Sequence, residues 1–213
     1  MVRIGIDVGG TFTDFTLLHE DDGRVTFHKV ASTPDDPSEA IALGVAELLA
    51  KDAIAPAEVA HVGHGTTVAT NLVIERKGAL TGLLTTRGFR DVLEIGRQTR
   101  PNLYDYSRGK PPPLVAREHR LELNERLSAR GDVLQALDEP ELERAVATLQ
   151  RAGVAAVAVC LLHAYRNPQH ERNVRAAIER GFPQAYVSVS SEVLPEFREY
   201  ERLSTTVLNA VVG

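Results

Sequence analysis

The chain has 213 residues, of which 43% are hydrophobic and 25% charged, and its formal net charge is −5. This composition allows a sizeable core and argues against a nucleic-acid partner bound through overall positive charge. The single cysteine, Cys160, excludes an internal disulfide, and no apolar run approaches the roughly 20 residues of a membrane helix. Asp7 interrupts the N-terminus where a signal peptide needs apolar residues, so we expect a cytoplasmic protein without a membrane partner.

The first thirty residues alternate between apolar and polar side chains, which predicts strands. Gly9-Gly10 ends the first strand, and Asp21-Asp22-Gly23 is a turn signal after the second. We expect an antiparallel meander with strands over Arg3 to Val8, Thr11 to Leu18 and Val25 to Val30.

Helices and strands then alternate along the rest of the chain. Asp36 followed by Pro37 is typical of a helix start, and the continuous apolar run from Val154 to Leu162 is typical of a parallel strand buried on both faces. The pattern predicts an α/β fold with a mixed sheet. The remaining predicted elements are a strand over Val59 to Val62, a helix from Thr66 or Thr67 to Gly78, a strand over Leu80 to Thr85, a long loop over 98–113, a strand pair within Glu118 to Leu134 around a turn at Ala129 to Asp132, a helix from Asp138 to Gly153, a helix from Asn167 to Gly181, a strand over Ala185 to Val189 and a helix over 197–212.

The last helix is strongly apolar and stands at the end of the sequence. Its apolar side chains are those of Leu203, Val207, Leu208, Val211 and Val212. Together they would expose more apolar surface to water than a terminal helix should. We therefore expect one lobe of a longer protein, with this helix packed against a following lobe or a partner subunit.

The first candidate site is the segment from Asp7 to Asp14. Gly9 and Gly10 stand between two strands, where backbone N–H groups can approach an anion without a Cβ in the way, and Thr11 and Thr13 add hydroxyl donors. Asp7 could hold Mg²⁺, because hard cations take carboxylate oxygens. No lysine follows the glycines, so the segment is not a Walker A loop. A plain Gly-Gly hairpin turn remains the alternative.

The second candidate is the segment from Gly63 to Thr67, between a predicted strand and a predicted helix. Its Gly65, Thr66 and Thr67 amides would point at whatever lies over the helix N-terminus, although a tight turn is the simpler interpretation. Carboxyl ends of adjacent strands meet at one sheet edge, so we expect this segment and Gly9-Gly10 to line the same cleft. His64 would act there on the substrate, since it can exchange a proton near neutral pH.

Other chemistry-bearing side chains give weaker signals. Cys160 lies inside the apolar run and is expected to be an inert core residue. The histidines do not form a metal-ligand cluster, and His61 and His64 should point away from each other. The long loop contains two arginines and two tyrosines, namely Arg97, Arg100, Tyr104 and Tyr106. These side chains could contact an anionic or planar substrate, or simply be solvated.

Seven segments, taken together and in this order, resemble the hydantoinase A/5-oxoprolinase family. They are Gly5 to Asp14, Gly63 to Asn71, Glu75 to Gly78, Gly88 to Gln98, Arg100 to Asp105, Asn167 to Glu171 and Ser190 to Arg202. Residues 1–213 would correspond to the N-terminal region of a longer family member, with a possible subdivision into 1–97 and 114–213. The resemblance implies ribonuclease H-like lobes of the actin, sugar-kinase and chaperone ATPase superfamily.

The resemblance also implies an ATP-dependent hydrolase of cyclic amides such as hydantoin or 5-oxoproline, or a related ketone carboxylase, that activates a carbonyl by phosphorylation. Asp7 would serve Mg²⁺ and ATP and, with His64, would be catalytic. The nucleotide would be held by Gly9, Gly10, Thr11, Thr13, Gly65, Thr66 and Thr67. A second lobe or a hydantoinase B-type subunit would complete the enzyme.

Two other functions remain open on the same superfamily fold. One is a sugar or acyl kinase, which would share the Asp-Val-Gly-Gly-Thr core but is not expected to carry Gly65 to Asn71 or Arg198 to Arg202. The other is a non-enzymatic, ATP-gated chaperone or reactivating subunit. Substrate-stimulated ATP hydrolysis with candidate amides would separate these functions.

Overall fold

The computed structural model divides the chain into two compact units, Met1–Glu75 and Arg76–Gly213. The sequence suggested a break between residues 97 and 114 instead. The structure describes all residues except Arg100, Pro101, Leu103, Tyr106 and Arg108. None of the described helices combines the length and the apolarity needed to cross a bilayer.

The first unit is a four-stranded sheet with two helices. Its elements are β1 (Val2–Val8), β2 (Phe12–His19), β3 (Val25–Ala31), α1 (Pro37–Lys51), β4 (Val59–Thr66) and α2 (Val68–Ile74). The strand order is β3-β2-β1-β4, in which β1, β2 and β3 are antiparallel neighbours and β4 runs parallel to β1. The predicted antiparallel meander is confirmed.

One face of this sheet forms a core with α1. The buried apolar side chains alternate along the two strands, and they are Val2, Ile4, Ile6 and Val8 on β1 and Phe15 and Leu17 on β2. They pack against Leu48 and Leu49 on the apolar side of α1. Asp36 caps α1 as predicted, because its carboxylate accepts the Ser38 N–H at 3.0 Å. Gly44 allows the helix to approach the sheet, since a Cβ there would lie 2.2 Å from the Phe15 ring.

The second unit is built around a separate, fully parallel sheet. Its elements are β5 (Thr81–Thr86), α3 (Val92–Ile95), β6 (Arg120–Leu123), β7 (Arg126–Leu127), β8 (Val133–Gln135), α4 (Glu139–Arg151), β9 (Ala156–Cys160), α5 (Gln169–Gly181), β10 (Tyr186–Val189), α6 (Ser190–Val193) and α7 (Glu199–Val212). The order is β10-β9-β5-β6, and every residue of β9 is buried between two parallel neighbours. The predicted parallel strand, buried on both faces, is confirmed.

The connections of the second unit also match several expectations. β7 and β8 pair antiparallel around the predicted turn, where Gly131 has a φ of 94°. Asp138 caps α4 by accepting the Glu141 N–H at 2.9 Å. The described residues of 98–113 contain neither helix nor strand, as expected for a loop.

The predicted mixed sheet is confirmed in the first unit, where parallel β4 joins the antiparallel strands, but β5 begins a second four-stranded sheet that was not predicted. Two predictions about the bounds of elements are wrong. β4 continues through Gly63 to Thr66, where it pairs with β1, so the predicted end at Val62 is too early. α2 ends at Ile74 instead of Gly78, and Arg76 then takes a left-handed conformation that stops the helix. The strand β6 and the short helices α3 and α6 were not predicted.

The apolar face of α7 is already covered within its own unit. Leu203, Val207 and Val211 are buried, and the helix packs on β9, β10 and β5. The expectation that this face needs another lobe or subunit to cover it is therefore wrong, although Val212 is exposed.

Candidate functional site

The two glycine segments that the sequence singled out lie side by side in the first unit. β1 and β4 run parallel with Val8 opposite Thr66, so both strands end at the same edge of the sheet. The Thr67 N–H donates to the Val8 carbonyl at 3.1 Å and fixes the second segment against the first. The predicted convergence at one sheet edge is confirmed.

The turn after β1 requires glycine for steric reasons. The Gly9 N–H donates to the Phe12 carbonyl at 3.0 Å, and a Cβ on Gly9 would lie 2.8 Å from that same oxygen. A Cβ on Gly10 would lie 3.3 Å from the Asn71 side-chain nitrogen on α2. Among the residues that the structure describes, no acceptor faces the N–H groups of Gly10 and Thr11. Two backbone donors are thus available to an anion.

The threonines of the site fall into two groups. Thr11 and Thr66 are exposed, and the hydroxyls of Thr66 and Thr67 donate to the Val8 carbonyl at 3.4 and 3.5 Å. The Thr66 hydroxyl also accepts the Val68 N–H at 3.2 Å, and the Thr67 hydroxyl accepts from the Asn71 side-chain amide at 3.4 Å. Because the contacts with the Val8 carbonyl are long, each hydroxyl can donate to a ligand instead while its oxygen keeps its other contact.

Thr13 is different because its side chain is buried. Its hydroxyl lies 3.0 Å from the Ser32 hydroxyl, which donates to the Gly9 carbonyl at 2.8 Å. Thr13 and Ser32 therefore hold the turn in shape, and the Thr13 hydroxyl does not face the surface where a phosphate would arrive. No local sequence pattern points to Ser32, because its position beside Thr13 depends on the pairing of β2 with β3.

Asp7 stands on the exposed face of the sheet, opposite Gly65 on β4 and Asp14 on β2. Partners in register share a face, so these three residues are neighbours there. A Cβ on Gly65 would meet nothing within 4 Å, which leaves open space beside the Asp7 carboxylate. Asp14 is ion-paired with Lys29 at 2.9 Å.

The donor set suits a hydrated divalent cation. The described residues contain no group of three or more His, Cys, Asp or Glu side chains that could hold a metal alone. Mg²⁺ is commonly bound through one or two carboxylates together with water and substrate phosphates, and Asp7 next to Asp14 provides that number. The carboxylates therefore fit Mg²⁺ bound jointly with a phosphate ligand.

His64 does not join Asp7. It lies opposite Ile6 on β1, and side chains alternate between faces along a strand, so His64 points to the other side of the sheet. His64 points away from Asp7 because β4 extends to Thr66, which makes His64 a strand residue instead of part of a turn. His61 lies opposite Arg3 and shares the Asp7 face, so the two histidines do point away from each other as predicted.

The loop candidates and the cysteine belong to the second unit. Arg97 is ion-paired with Glu201 at 2.5 Å, whereas Tyr104 is 92% exposed. Arg100 and Tyr106 lie outside the described residues. Burial raises the pKa of the Cys160 thiol to about 12, which agrees with an inert core residue.

A buried polar network along the carboxyl ends of the second sheet was not predicted. His170 contacts Glu125 at 2.7 Å, and the Glu171 carboxylate accepts from the Leu161 N–H at 2.9 Å and the Ser190 hydroxyl at 2.6 Å. Burial raises the pKa of Glu171. The signal for this network was present in the motif segments Asn167 to Glu171 and Ser190 to Arg202, but only the fold brings them together.

Comparison with known proteins gives one matching family. The family model described as the hydantoinase/oxoprolinase N-terminal region matches residues 3–182. Among sequence relatives, the caprolactamase subunit alpha of Pseudomonas jessenii is 38% identical over 217 residues, which cover 99% of this chain and 31% of that protein. The 5-oxoprolinase 1 of Arabidopsis thaliana is 32% identical over 241 residues, which cover 98% of this chain and 19% of that protein.

Solved structures agree with the sequence relatives. A nucleotide-free acetone carboxylase, studied for ATP-dependent acetone carboxylation, superposes with a TM-score of 0.84 at 29% identity. The ATP-dependent caprolactamase of Pseudomonas jessenii superposes with a TM-score of 0.81 at 38% identity. Each superposition covers 98% of this chain and 31% of the other. The chain therefore spans about a third or less of the length of these relatives.

Proposed function

This chain belongs to the hydantoinase/oxoprolinase N-terminal-region family, and from that premise we propose that it supplies the ATP-phosphate-binding lobe of an ATP-dependent enzyme acting on a cyclic amide or a ketone. Relatives named as ATP-dependent caprolactamase, 5-oxoprolinase and acetone carboxylase support ATP use and this substrate class. The first unit supports a ribonuclease H-like lobe, because β4 adds in parallel beside the first strand of an antiparallel meander.

One observation carries the proposal. The parallel register of β1 and β4 places the Gly9-Gly10 turn and Thr66-Thr67 at the same sheet edge, with Asp7 on the open face beside Gly65. Free N–H groups, exposed hydroxyls and a carboxylate thus occur together where strands end, which is where α/β sheets bind ligands.

Each part of this edge has a separate task in holding ATP. The N–H groups of Gly10 and Thr11 would donate to phosphate oxygens, and Thr66 and Thr67 would add hydroxyl donors from β4 and the start of α2. Asp7, with Asp14 beside it, would hold Mg²⁺, which neutralises phosphate charge when it is bound. Thr13 and Ser32 would keep the turn in the shape that presents these donors.

The chemistry proposed for the complete enzyme is phosphoryl transfer from ATP to a carbonyl oxygen of the substrate. The γ-phosphorus–oxygen bond to ADP breaks and a new bond forms from phosphorus to the carbonyl oxygen. With a cyclic amide, water then adds to the activated carbon, the ring C–N bond breaks as the nitrogen takes up a proton, and a second water hydrolyses the resulting acyl phosphate to carboxylate and phosphate. With a ketone, loss of an α-proton gives an enol phosphate whose α-carbon forms the new bond to the carbon of CO₂, and water releases the phosphate. In such transfers the protein mainly positions the reactants and neutralises charge, which matches a site of amides, hydroxyls and a carboxylate.

The enzyme would also need parts beyond this chain. Relatives are named as subunits, among them the caprolactamase subunit alpha and the acetophenone carboxylase gamma subunit of Aromatoleum aromaticum. We accordingly propose a second lobe or a hydantoinase B-type partner subunit that completes the nucleotide and substrate sites.

Replacing Asp7 with asparagine in the full-length protein tests the proposal. We expect substrate-stimulated ATP hydrolysis to fall by about a hundredfold or more, because an amide cannot replace the negative charge toward Mg²⁺. Asp21→Asn is the matched control, since Asp21 is also exposed in this unit but pairs with the N-terminal amine. Wild-type turnover in Asp7→Asn would contradict the proposal.

A further inference from the structure

Two of the motif segments have no part in the phosphate site, and both line one cleft in the second unit. Gly88 to Gln98 contributes Glu94, Gly96 and Arg97, and Ser190 to Arg202 contributes Tyr200. The cleft has a volume of about 650 Å³, which falls within the range of small-molecule sites. These segments therefore have a candidate task of their own.

The cleft is shaped by a close approach between the end of α3 and the start of α7. Gly96 has a φ of 55°, and a Cβ there would lie 3.5 Å from the Tyr200 ring. A glycine at this position lets the chain reverse directly over the tyrosine. The Tyr200 ring is thereby held against Gly96, and its hydroxyl oxygen would lie 3.6 Å from the same Cβ position.

Charge among the described residues that line the cleft is unbalanced toward positive, with Arg97 and Lys110 against Glu94. Glu94 is paired with Arg120 at 2.9 Å, and Arg97 is paired with Glu201, which does not line the cleft, at 2.5 Å. The Lys110 ammonium donates to the Ile95 carbonyl at 2.6 Å and is paired with no carboxylate of the described residues. Within the described part of the chain, the charge of Lys110 thus has no paired counter-charge at the cleft.

Neutral donors and apolar walls complete the lining. No hydrogen-bond partner among the described residues engages the side-chain hydroxyls of Thr99, Tyr200 and Ser204. Apolar surface comes from Leu93, Leu114 and the three prolines 111–113. A ligand that suits this lining has a negative charge, a further acceptor and a compact apolar body.

We propose that this cleft binds a small organic carboxylate, with its anionic group at Lys110 and a carbonyl oxygen accepting from Tyr200 or Ser204. The choice of ligand rests on the proposed function, because a cyclic amide bearing a carboxylate satisfies both requirements at once. The cleft then discriminates between a carboxylated cyclic amide and its neutral counterpart.

Binding is measured by calorimetry on the full-length protein without ATP, with 5-oxoproline and with 2-pyrrolidinone, which lacks only the carboxylate. We expect 2-pyrrolidinone to bind at least about tenfold more weakly, and Lys110→Met to weaken 5-oxoproline binding by about tenfold, since hydrogen bonds to charged groups have about this worth. Tyr200→Phe should weaken binding severalfold while it retains the ring against Gly96. Lys51→Met is the matched control, because Lys51 also donates to a backbone carbonyl, that of Phe27 at 3.3 Å, but lies in the other unit.

Three results would overturn the inference: no binding of 5-oxoproline, equal affinity for the two ligands, or wild-type affinity in Lys110→Met. Failure of the cleft proposal can be distinguished from failure of the proposed function. Lys110-dependent binding of 5-oxoproline in a protein without substrate-stimulated ATP hydrolysis would reject the proposed function alone. Substrate-stimulated hydrolysis with a fully active Lys110→Met would reject the cleft alone.

Discussion

In the first unit, the face of the sheet on which a side chain lies determines which other groups it can act with. Asp7 and His64 are both exposed, yet the β1–β4 register puts them on opposite sides of the sheet. Two glycines in the site matter for different reasons. Gly9 is required because a Cβ would collide with the Phe12 carbonyl, whereas a Cβ on Gly65 would meet nothing within 4 Å, so only the proposed phosphate site would call for a glycine there.

Cys160 gives a prediction about pH and stability. Burial raises the pKa of its thiol from 9.0 in the unfolded chain to about 12 in the folded protein. A group whose pKa is higher in the folded state stabilises the fold fully below the unfolded pKa, and that contribution is lost as pH rises toward the folded pKa. We expect the loss to reach about 2 kcal/mol near pH 10.5.

Denaturation of the wild type and Cys160→Ala at neutral pH and near pH 10.5 measures this loss. Other groups that titrate in the alkaline range are common to both proteins, so the difference isolates the thiol. The stability of the wild type should fall more steeply than that of the variant. If the free energy of unfolding falls equally in the two proteins, folding does not raise the pKa of the Cys160 thiol.

The strand β4 shows where local sequence was misleading. Gly63-His64-Gly65 has the composition of a turn, and its alternation is too weak to predict a strand. Pairing with β1 in parallel register overrides that local preference and extends the strand to Thr66. Because a one-residue change in register moves a side chain to the other face, the location of His64 could not be predicted without this pairing.

Helices were easier to predict than their surroundings. The caps at Asp36 and Asp138 depend on contacts within one turn, and both occur as the sequence predicts. The apolar pattern of α7 shows how much helix surface must be buried, but it does not show which element covers that surface. In the structure the second sheet covers it. The buried network around Glu171 likewise joins segments that are distant in sequence, so no local pattern could reveal it.

The molecule as a whole consists of two units with separate cores. The described core cluster of the second unit consists of residues from that unit, including Leu84, Leu142, Val157 and Ile178. Its first and last segments are tied together, because the Ala79 N–H donates to the Val211 carbonyl at 2.9 Å. Every strand of its main sheet comes from the continuous segment after Arg76.

We therefore expect residues 76–213 to fold without the first unit. The isolated segment should unfold in one cooperative transition in urea and should protect Cys160 from alkylation under native conditions. Modification after denaturation provides the control for reagent activity. Rapid native alkylation, or a gradual transition, would show that the second unit depends on the first.

The central claim for the full-length protein is that ATP phosphates lie beside Asp7 at the edge formed by β1 and β4. Gly65→Val tests it most directly, because valine suits a strand and finds open space there, but would occupy the position proposed for the phosphates. Gly5→Val is the matched control on the same face, farther from the turn. Calorimetry with Mg-ATP should show binding in Gly5→Val and its loss in Gly65→Val, while both variants retain wild-type thermal stability within about 1 kcal/mol. Wild-type affinity in a folded Gly65→Val protein would place the phosphates elsewhere and contradict the claim.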